Sequence, residues 1–337
     1  MASNKAAYLV AVNTPLEVKS APYPEPKEFE IVVKSRAVAI NPVDYFMQLS
    51  GPAVFPWLQL PSISGYDVAG EVSALGSGIT KFKVGDRVAG TGAGAFQEYV
   101  PLKEHMVTTV PESITFEQAS VLPMCLGVAV KSLFHPEYLA LDPPKSHAKP
   151  NGNVVIVWGG STSVGSNIIQ LARAAGYEVI TTASQSNFDY VKKLGATQAF
   201  DYNSPSVKDD LLAAVKGKKI AGAVANGGLD RSTYQSIVET LATVVLSSPD
   251  HQKLIPLTMV PNFPIPEGVE TKFVVPLRGD KDVAAPIFND YLPGALADGS
   301  IVPAPEAQVT GKGLESIQEA YDILKNGVSA KKVVVTI

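Results

Sequence analysis

The stretch VVIVWGGSTSVGSNIIQLARAAG, Val154 to Gly176, passes from a hydrophobic run through a loop of small residues into an amphipathic run. A strand, a tight turn and a helix N-terminus in that order offer backbone N–H groups to an anion such as a pyrophosphate. In a dinucleotide-binding turn the first glycine permits the bend, the second lets the backbone approach the phosphates, and the third lets helix pack on strand. Gly160 takes the first place and Gly165 the third, and Gly159 adds a further flexible position. The middle place holds Thr162 and Ser163, beside Ser161, whose hydroxyls can donate to phosphate oxygens. A turn that merely needs small residues is the plainer alternative, because glycine patterns recur without ligands.

The next hydrophobic run ends VITTASQSN. A site for NADH places an acid there to grip the ribose 2′-hydroxyl. Thr181, Thr182, Ala183, Ser184, Gln185, Ser186 and Asn187 are all neutral, which points to NADPH. Ser184 and Asn187 are also good residues for starting a helix near Phe188, and both roles use the same helix end.

These residues need a scaffold. From Asn153 onward strand-like and helix-like runs alternate, as in βαβ units around a parallel sheet: NVVIVWG, YEVITTAS, QAFDY, IAGAVANG, TVVLSS and ETKFVVPL as strands. GSNIIQLARAAG, NFDYVKKLGA, SVKDDLLAAVKG and STYQSIVETLA read as the helices among them. Before them, EIVVKSRAVAI, DVAGEVSALG and DRVAGTGAGAFQEYVPL read as short strands of a barrel-like β-module. Thr115 to Phe134 reads as helix, and His135 to Gly152 as a surface loop. GLESIQEAYDILKNGVSAKKVVVTI adds a helix and a closing strand, so the β-module is interrupted and then resumed. The expected class is α/β.

The 337 residues suffice for two domains, with 46% hydrophobic and 18% charged residues and a net charge of −4. That balance gives no nucleic-acid footprint. One cysteine, Cys125, excludes a disulfide within the chain and a cysteine-based metal cluster. No run is long and apolar enough for a membrane span, and MASNKAAYLV has no signal-peptide pattern, so the expected location is the cytoplasm. His105, His135, His147 and His251 lie far apart in mostly polar segments and read as surface residues.

NPVDY (Asn41 to Tyr45), GYDVAGEV (Gly65 to Val72), VGDRV, AFQEYV, the glycine loop and the closing SAKKVVV occur in that order. Together they resemble the medium-chain dehydrogenase/reductase superfamily over almost the whole chain. The resemblance implies a GroES-like β-domain over 1–122 and 276–337 and a Rossmann domain over 123–275, with the active site in the cleft between them. Zinc-dependent members place a Cys where Asn41 stands and a His and a Glu where Tyr66 and Asp67 stand, and they carry a cysteine-rich lobe absent here. A tetrahedral zinc site needs three or four such ligands. The chain is therefore similar to the zinc-free, quinone-oxidoreductase-like branch, and within it to fungal trans-acting enoyl reductases, which use NADPH and partner polyketide synthases.

That resemblance implies that Ser161, Thr162, Ser163 and Val164 contact the diphosphate and that Ser184 and Asn187 contact the 2′-phosphate. It places Tyr202 at the adenosine end, Leu246 and Ser247 at the end of a strand under the nicotinamide, and Ser329 and Ala330 against the cofactor from the tail. Tyr202 could equally be a half-buried strand residue. Val121 to Val128, with Leu122, Met124 and Val128, and Phe273 to Leu277, with Val274 and Val275, would line the substrate cleft; some of the first run would also be helix core. Many such reductases carry a Lys where Phe46 stands, and without that cation Asp44, Tyr45 and backbone groups are left to shape the pocket.

Without a metal, hydride transfer suits an activated C=C better than an isolated ketone, because the charge collects on a carbonyl oxygen that preorganised donors can stabilise. The expected activity is reduction of an enone or enoyl thioester, with no single indispensable acid or base. The alternatives are quinone reduction, with Tyr45, Phe46 and Phe273 stacking on flat rings, and non-catalytic NADPH binding. The expected oligomeric state is monomer or homodimer.

Overall fold

The structure, a computed structural model, describes residues 3–145, 148–227, 230–249, 252–275, 277 and 279–337. The readings of His147 and His251 lie outside the described residues. The chain forms two compact units, Met1–Met124 with Phe288–Gly299 and Pro303–Ile337, and Cys125–Ile287 with Ser300–Val302.

The first unit begins with β1 (Asn4–Leu9), β2 (Glu17–Ala21) and β3 (Glu30–Ala39), followed by helix α1 (Pro42–Ser50). Then come β4 (Ser62–Ile63), β5 (Asp67–Leu75), β6 (Arg87–Thr91), β7 (Tyr99–Lys103), β8 (Val107–Thr109) and helix α2 (Phe116–Ser120). β3 is rich in Val and Ala and is buried over most of its length. It pairs antiparallel with β5 along its whole length and with β7 along its first half. Helix α3 (Pro123–Phe134) follows α2 after a break at Pro123, so the expected continuous helix is two helices. Proline lacks an N–H and clashes with the preceding turn, which stops the first helix there.

The second unit alternates as expected: β9 (Asn153–Val157), α4 (Ser163–Ala174), β10 (Glu178–Ala183), α5 (Phe188–Leu194), β11 (Gln198–Asp201), α6 (Val207–Val215), β12 (Lys219–Val224), α7 (Arg231–Leu246), β13 (Leu254–Leu257), β14 (Glu270–Phe273) and α8 (Lys281–Ala285). All its strand pairs are parallel, in the order β11-β10-β9-β12, and a parallel bridge between Ala225 and Leu257 carries the sheet on to β13-β14. The strand order reverses between β9 and β12. Such a reversal opens a crevice at the carboxyl ends of the strands, where α/β sheets bind ligands.

One strand was misplaced by the sequence reading. TVVLSS continues helix α7, whose inner face buries Ile237, Val238, Leu241, Val244 and Val245 at helical spacing. The strand that follows is LIPL, hidden by Pro256, whose carbonyl accepts from the Ala225 N–H at 3.0 Å.

The chain then returns to the first unit through α9 (Leu292–Ala297), β15 (Glu306–Lys312), α10 (Ile317–Lys325) and β16 (Lys331–Thr336). The stretch up to Ile287 clusters with the second unit, where Asp280 pairs with Lys131 at 2.9 Å. β16 pairs with the second half of β3 and completes a sheet of order β15-β16-β3-β5-β6-β8. Val33, Val38, Val68, Phe96, Val333 and Val335 fill its core with Tyr321 from α10.

Candidate functional site

In the second unit the glycine loop sits at the carboxyl end of β9, on the reversal of strand order. Thr162 caps α4, its hydroxyl accepting from the Gly165 N–H at 3.0 Å and donating to the Gly159 carbonyl at 2.9 Å. The first-turn amides of Ser163 and Val164 have no partner within the helix, as at any helix start. Both glycines are required sterically. A Cβ on Gly160 would run into the Thr181 hydroxyl and lie 2.9 Å from Ile169 Cδ1. One on Gly165 would strike the Gly159 carbonyl oxygen and lie 2.8 Å from Gly160 Cα. Helix and loop are therefore packed backbone on backbone, the close approach a phosphate-binding turn needs. Ser161, Thr162, Ser163 and Val164 are all partly exposed.

Two residues not singled out from the sequence complete this end. Asn226, at the end of β12, donates its side-chain amide to the Thr162 hydroxyl. Its Oδ1 accepts from the Thr258 hydroxyl just after β13, at 3.1 Å. The ends of β12 and β13 thus brace the loop across the crevice. The end of β10 braces the other side, with the Gly159 N–H donating to the Thr182 hydroxyl at 3.0 Å and the Gly160 N–H to the Thr182 carbonyl at 2.8 Å.

Ser184 and Asn187 stand just beyond that point, both half-buried. Neither side chain bonds to the backbone amides of the helix it precedes. Instead Asn187 Nδ2 donates to Ser184 Oγ at 3.0 Å, and Ser184 Oγ lies 3.2 Å from Ser186 Oγ. The capping role does not hold; the hydroxyls and amide form a small polar group. Tyr202, after β11, is 43% exposed. Beside it a cleft of about 420 Å³ is lined by Gln185, Phe188, Phe200, Asp201, Asn203 and Asp210. Behind the loop, Tyr190 pairs with Ser166 at 2.8 Å, and burial pushes its phenol up to about 12.

Leu246 and Ser247 do not reach this end. They close helix α7, and the neighbouring Ser248 hydroxyl bonds to the Lys218 carbonyl at the start of β12. That is the amino edge of the sheet, opposite the glycine loop. The Val-rich run that suggested a strand is the buried face of the helix. In the first unit, Ser329 is exposed and Ala330 has φ 48, both leading into β16.

The first unit holds a buried polar cluster at its centre. Asp67 is fully buried at the start of β5. One oxygen accepts from the Met124 N–H at 2.6 Å and the other from Asn41 Nδ2 at 2.8 Å. The Lys332 ammonium lies 3.5 Å from Asp67 Oδ2 and donates to Asn41 Oδ1 at 2.5 Å. Asp44, in the first turn of α1, accepts from the Asn41 N–H at 2.7 Å through Oδ2, while its buried Oδ1 has no partner. Asn41, Asp44 and Asp67 were visible as motif residues; Lys332 was part of the quoted SAKKVVV, but its role was not.

This donor set does not fit zinc. A positive ammonium lies within 3.5 Å of the carboxylate that would have to bind a cation. The Asn41 side chain is committed on both its atoms. Among the described residues no group of three or more His, Cys, Asp or Glu could hold a metal ion. His105 and His135 are half-buried rather than on the surface, His135 lying 3.5 Å from Asp280 and edge-on to Tyr138. Tyr138, against which His135 packs, lies in the segment expected to be a surface loop.

Of the residues expected to line substrate, the Tyr45 ring is buried in the core of the first unit, and the partly exposed Phe46 ring lies 4.6 Å from it. Leu122 is buried, so it packs core, whereas Met124 and Val128 are half-buried and one helical turn apart on α3. Phe273 is half-buried at the end of β14, its carbonyl accepting from the Tyr138 hydroxyl at 2.9 Å. Val274 and Leu277 are buried and Val275 is exposed.

Known proteins match both units of the chain. Residues 27–112 match the alcohol dehydrogenase GroES-like domain, and residues 163–255 match the zinc-binding dehydrogenase family. The chain is 45% identical to the dehydrogenase orf1 of Aspergillus niger over 100% of both chains. It is 36% identical to the trans-enoyl reductase himH of Aspergillus japonicus, over 91% of this chain and 90% of that one. A quinone oxidoreductase of Pseudomonas syringae superposes with a TM-score of 0.72 at 23% identity, over 99% of this chain and 100% of that one. A GroES-like β-unit, a Rossmann unit carrying the glycine loop and full-length relatives at this identity lead to one conclusion: the chain is an oxidoreductase of the medium-chain dehydrogenase/reductase family, whose members bind a nicotinamide cofactor.

Proposed function

We propose that the protein is an NADPH-dependent reductase of the activated C=C bond in α,β-unsaturated carbonyl compounds. The observation that carries the reading is the Asn41–Asp67–Lys332 cluster. The chain's own ammonium stands among the groups that would have to hold a metal, so no Lewis acid is built in to polarise an isolated ketone or alcohol. A conjugated carbonyl needs less help, because hydrogen-bond donors can stabilise the enolate. The trans-enoyl reductase among the relatives supports the same substrate class.

The nicotinamide supplies hydride when bound. The protein's part is to grip and orient it. Ser161, Thr162, Ser163 and Val164 supply loop hydroxyls and first-turn amides for the diphosphate. Ser184 and Asn187 supply neutral donors for the 2′-phosphate. Asp201 and Asp210 make the neighbouring cleft a poor seat for phosphate and a better one for a base's amino group. Ser329 and Ala330 are proposed cofactor contacts, and Phe46, Met124, Val128, Phe273 and Val275 proposed substrate contacts. Asp44 and Tyr45 set the position of α1 rather than touch the reacting atoms.

Ser184→Asp tests the nucleotide assignment. A carboxylate there would repel a 2′-phosphate and grip a 2′-hydroxyl, so KM for NADPH should rise roughly 10-fold or more while KM for NADH falls. An unchanged ratio would remove Ser184 from the site. Loss of NADPH absorbance with a small enone, an unsaturated acyl thioester and an ortho-quinone tests the substrate class. Turnover of the unsaturated carbonyls is expected. The partly exposed Phe46 ring beside Tyr45 favours quinone reduction as the second reading, and turnover of the quinone alone would select it.

A further inference from the structure

The buried cluster of the first unit contains two carboxylates, Asp44 and Asp67, and one ammonium, Lys332, which are respectively 1%, 0% and 3% exposed. One cation can balance one anion, and an uncompensated charge in such a place is costly. The contacts decide which carboxylate keeps its charge. Burial pushes the Asp67 carboxyl up, but Asp67 receives the nearby Lys332 ammonium, the Asn41 amide and the Met124 N–H, all of which pull it back toward the ionised form. Asp44 receives the Asn41 N–H, with weaker pulls from Lys332 and the Asn41 side chain, and its buried Oδ1 has no hydrogen-bond partner.

We propose that Asp44 is a proton-linked positioning residue: it holds a proton on its unpartnered oxygen at neutral pH, and this neutral form lets Asp67 and Lys332 fix α1 and the first turn of α3. The cluster is then electrically balanced. Ionisation of Asp44 sets two carboxylates against one ammonium, and the tie from Asp67 to Met124 and the start of α1 loosen together. Those two segments carry Met124 and Phe46, so the proton governs the position of both proposed substrate contacts without touching substrate.

The surroundings agree. Asp44 faces Asp67 from β5, Lys332 from β16 and Tyr321 from α10, while Lys325 of α10 lies 5.8 Å from the Tyr45 ring centre. Burial, and then the charge of Asp67, hold the Asp44 carboxyl up to about 8, against the pull of the Asn41 N–H and Lys332. Tyr321 is pushed well above its ordinary range by burial and stays neutral there.

The sign follows from linkage. The folded protein holds the Asp44 proton up to about 8, whereas an unperturbed aspartate loses it near 3.8. Its contribution to stability is complete below 3.8, is lost as pH rises toward about 8, and changes no further above that.

Infrared difference spectra of the wild-type protein, with isotope-labelled aspartate, test this directly. A protonated carboxyl band present at pH 7 and lost through about 8 is expected. The band should vanish in Asp44→Asn, and in Asp44→Glu it should respond to labelled glutamate instead of labelled aspartate. Asp44→Asn, a neutral mimic, should also remove the fall in melting temperature between pH 5 and 8, and should abolish the rise in substrate KM as wild type passes pH 8. Only this kinetic readout rests on the proposed reductase activity. No protonated band at pH 7 would overturn the proposal, as would a band retained in Asp44→Asn. If Asp44→Asn fails to fold, the wild-type and Asp44→Glu spectra still decide: a band that still follows labelled aspartate in Asp44→Glu places the proton on the wrong carboxyl.

Discussion

Gly165→Ala will weaken nicotinamide nucleotide binding by roughly 10-fold or more, about 1.4 kcal/mol, even though alanine is the better helix former. Helix propensity alone would favour the substitution by about 1 kcal/mol. Against it, the new methyl meets the Gly159 carbonyl oxygen and Gly160 Cα, which are backbone atoms and cannot rotate away. Overpacking of this kind costs about 1–3 kcal/mol. Relief requires the loop to move off the helix, and that movement breaks the Thr162 cap and the Asn226 brace as well. Gly160→Ala should behave differently, because the first atom it meets is the Thr181 hydroxyl. Adding Thr181→Ala should recover part of the Gly160→Ala loss, and no side-chain substitution should recover Gly165→Ala. Calorimetric titration with NADPH, beside melting temperatures, measures both. Wild-type affinity in Gly165→Ala would show that the nucleotide does not depend on this packing.

Lys332→Met should be the most destabilising single substitution in the cluster, by about 3–5 kcal/mol. It leaves Asp67 fully buried with its cation gone, and it also strips the donor from Asn41 Oδ1. The penalty belongs to the stranded charge more than to the lost attraction. Adding Asp67→Asn should therefore make the double variant more stable than Lys332→Met alone, a coupling that a double-mutant cycle isolates. Urea unfolding of wild type, both singles and the double gives the cycle. A single variant within about 1 kcal/mol of wild type would mean that the ammonium is dispensable.

What the sequence disclosed divides by range. The glycine loop could be read because its constraints are local: Gly160 and Gly165 are required by neighbours on the same strand–turn–helix, apart from Thr181 on the adjoining strand. The alternation of the second unit and the strands of the first were legible for the same reason. Asn226 and Thr258 were not, since each matters only through a partner on another strand end. The Val-Val pair of TVVLSS misled because β-branched residues also fill the buried face of a helix when the sheet beneath it is apolar. Pro256 concealed a strand that needs a carbonyl at that position and no N–H. Lys332 supplies the positive charge of the buried cluster, and that pairing is invisible until β16 is laid against β3.

The path of the chain also sets an order of events during synthesis. Asn41, Asp44 and Asp67 leave the ribosome early, and the whole of Cys125–Ile287 is made before Lys332. The Rossmann unit is nearly contiguous and can fold as it emerges, since domains generally fold as units in the order of translation. The β-unit cannot close in the same way: until the last strand arrives its central aspartates have no counter-ion and must stay hydrated. Charge balance at the centre of that half therefore depends on β16, made after all its partners.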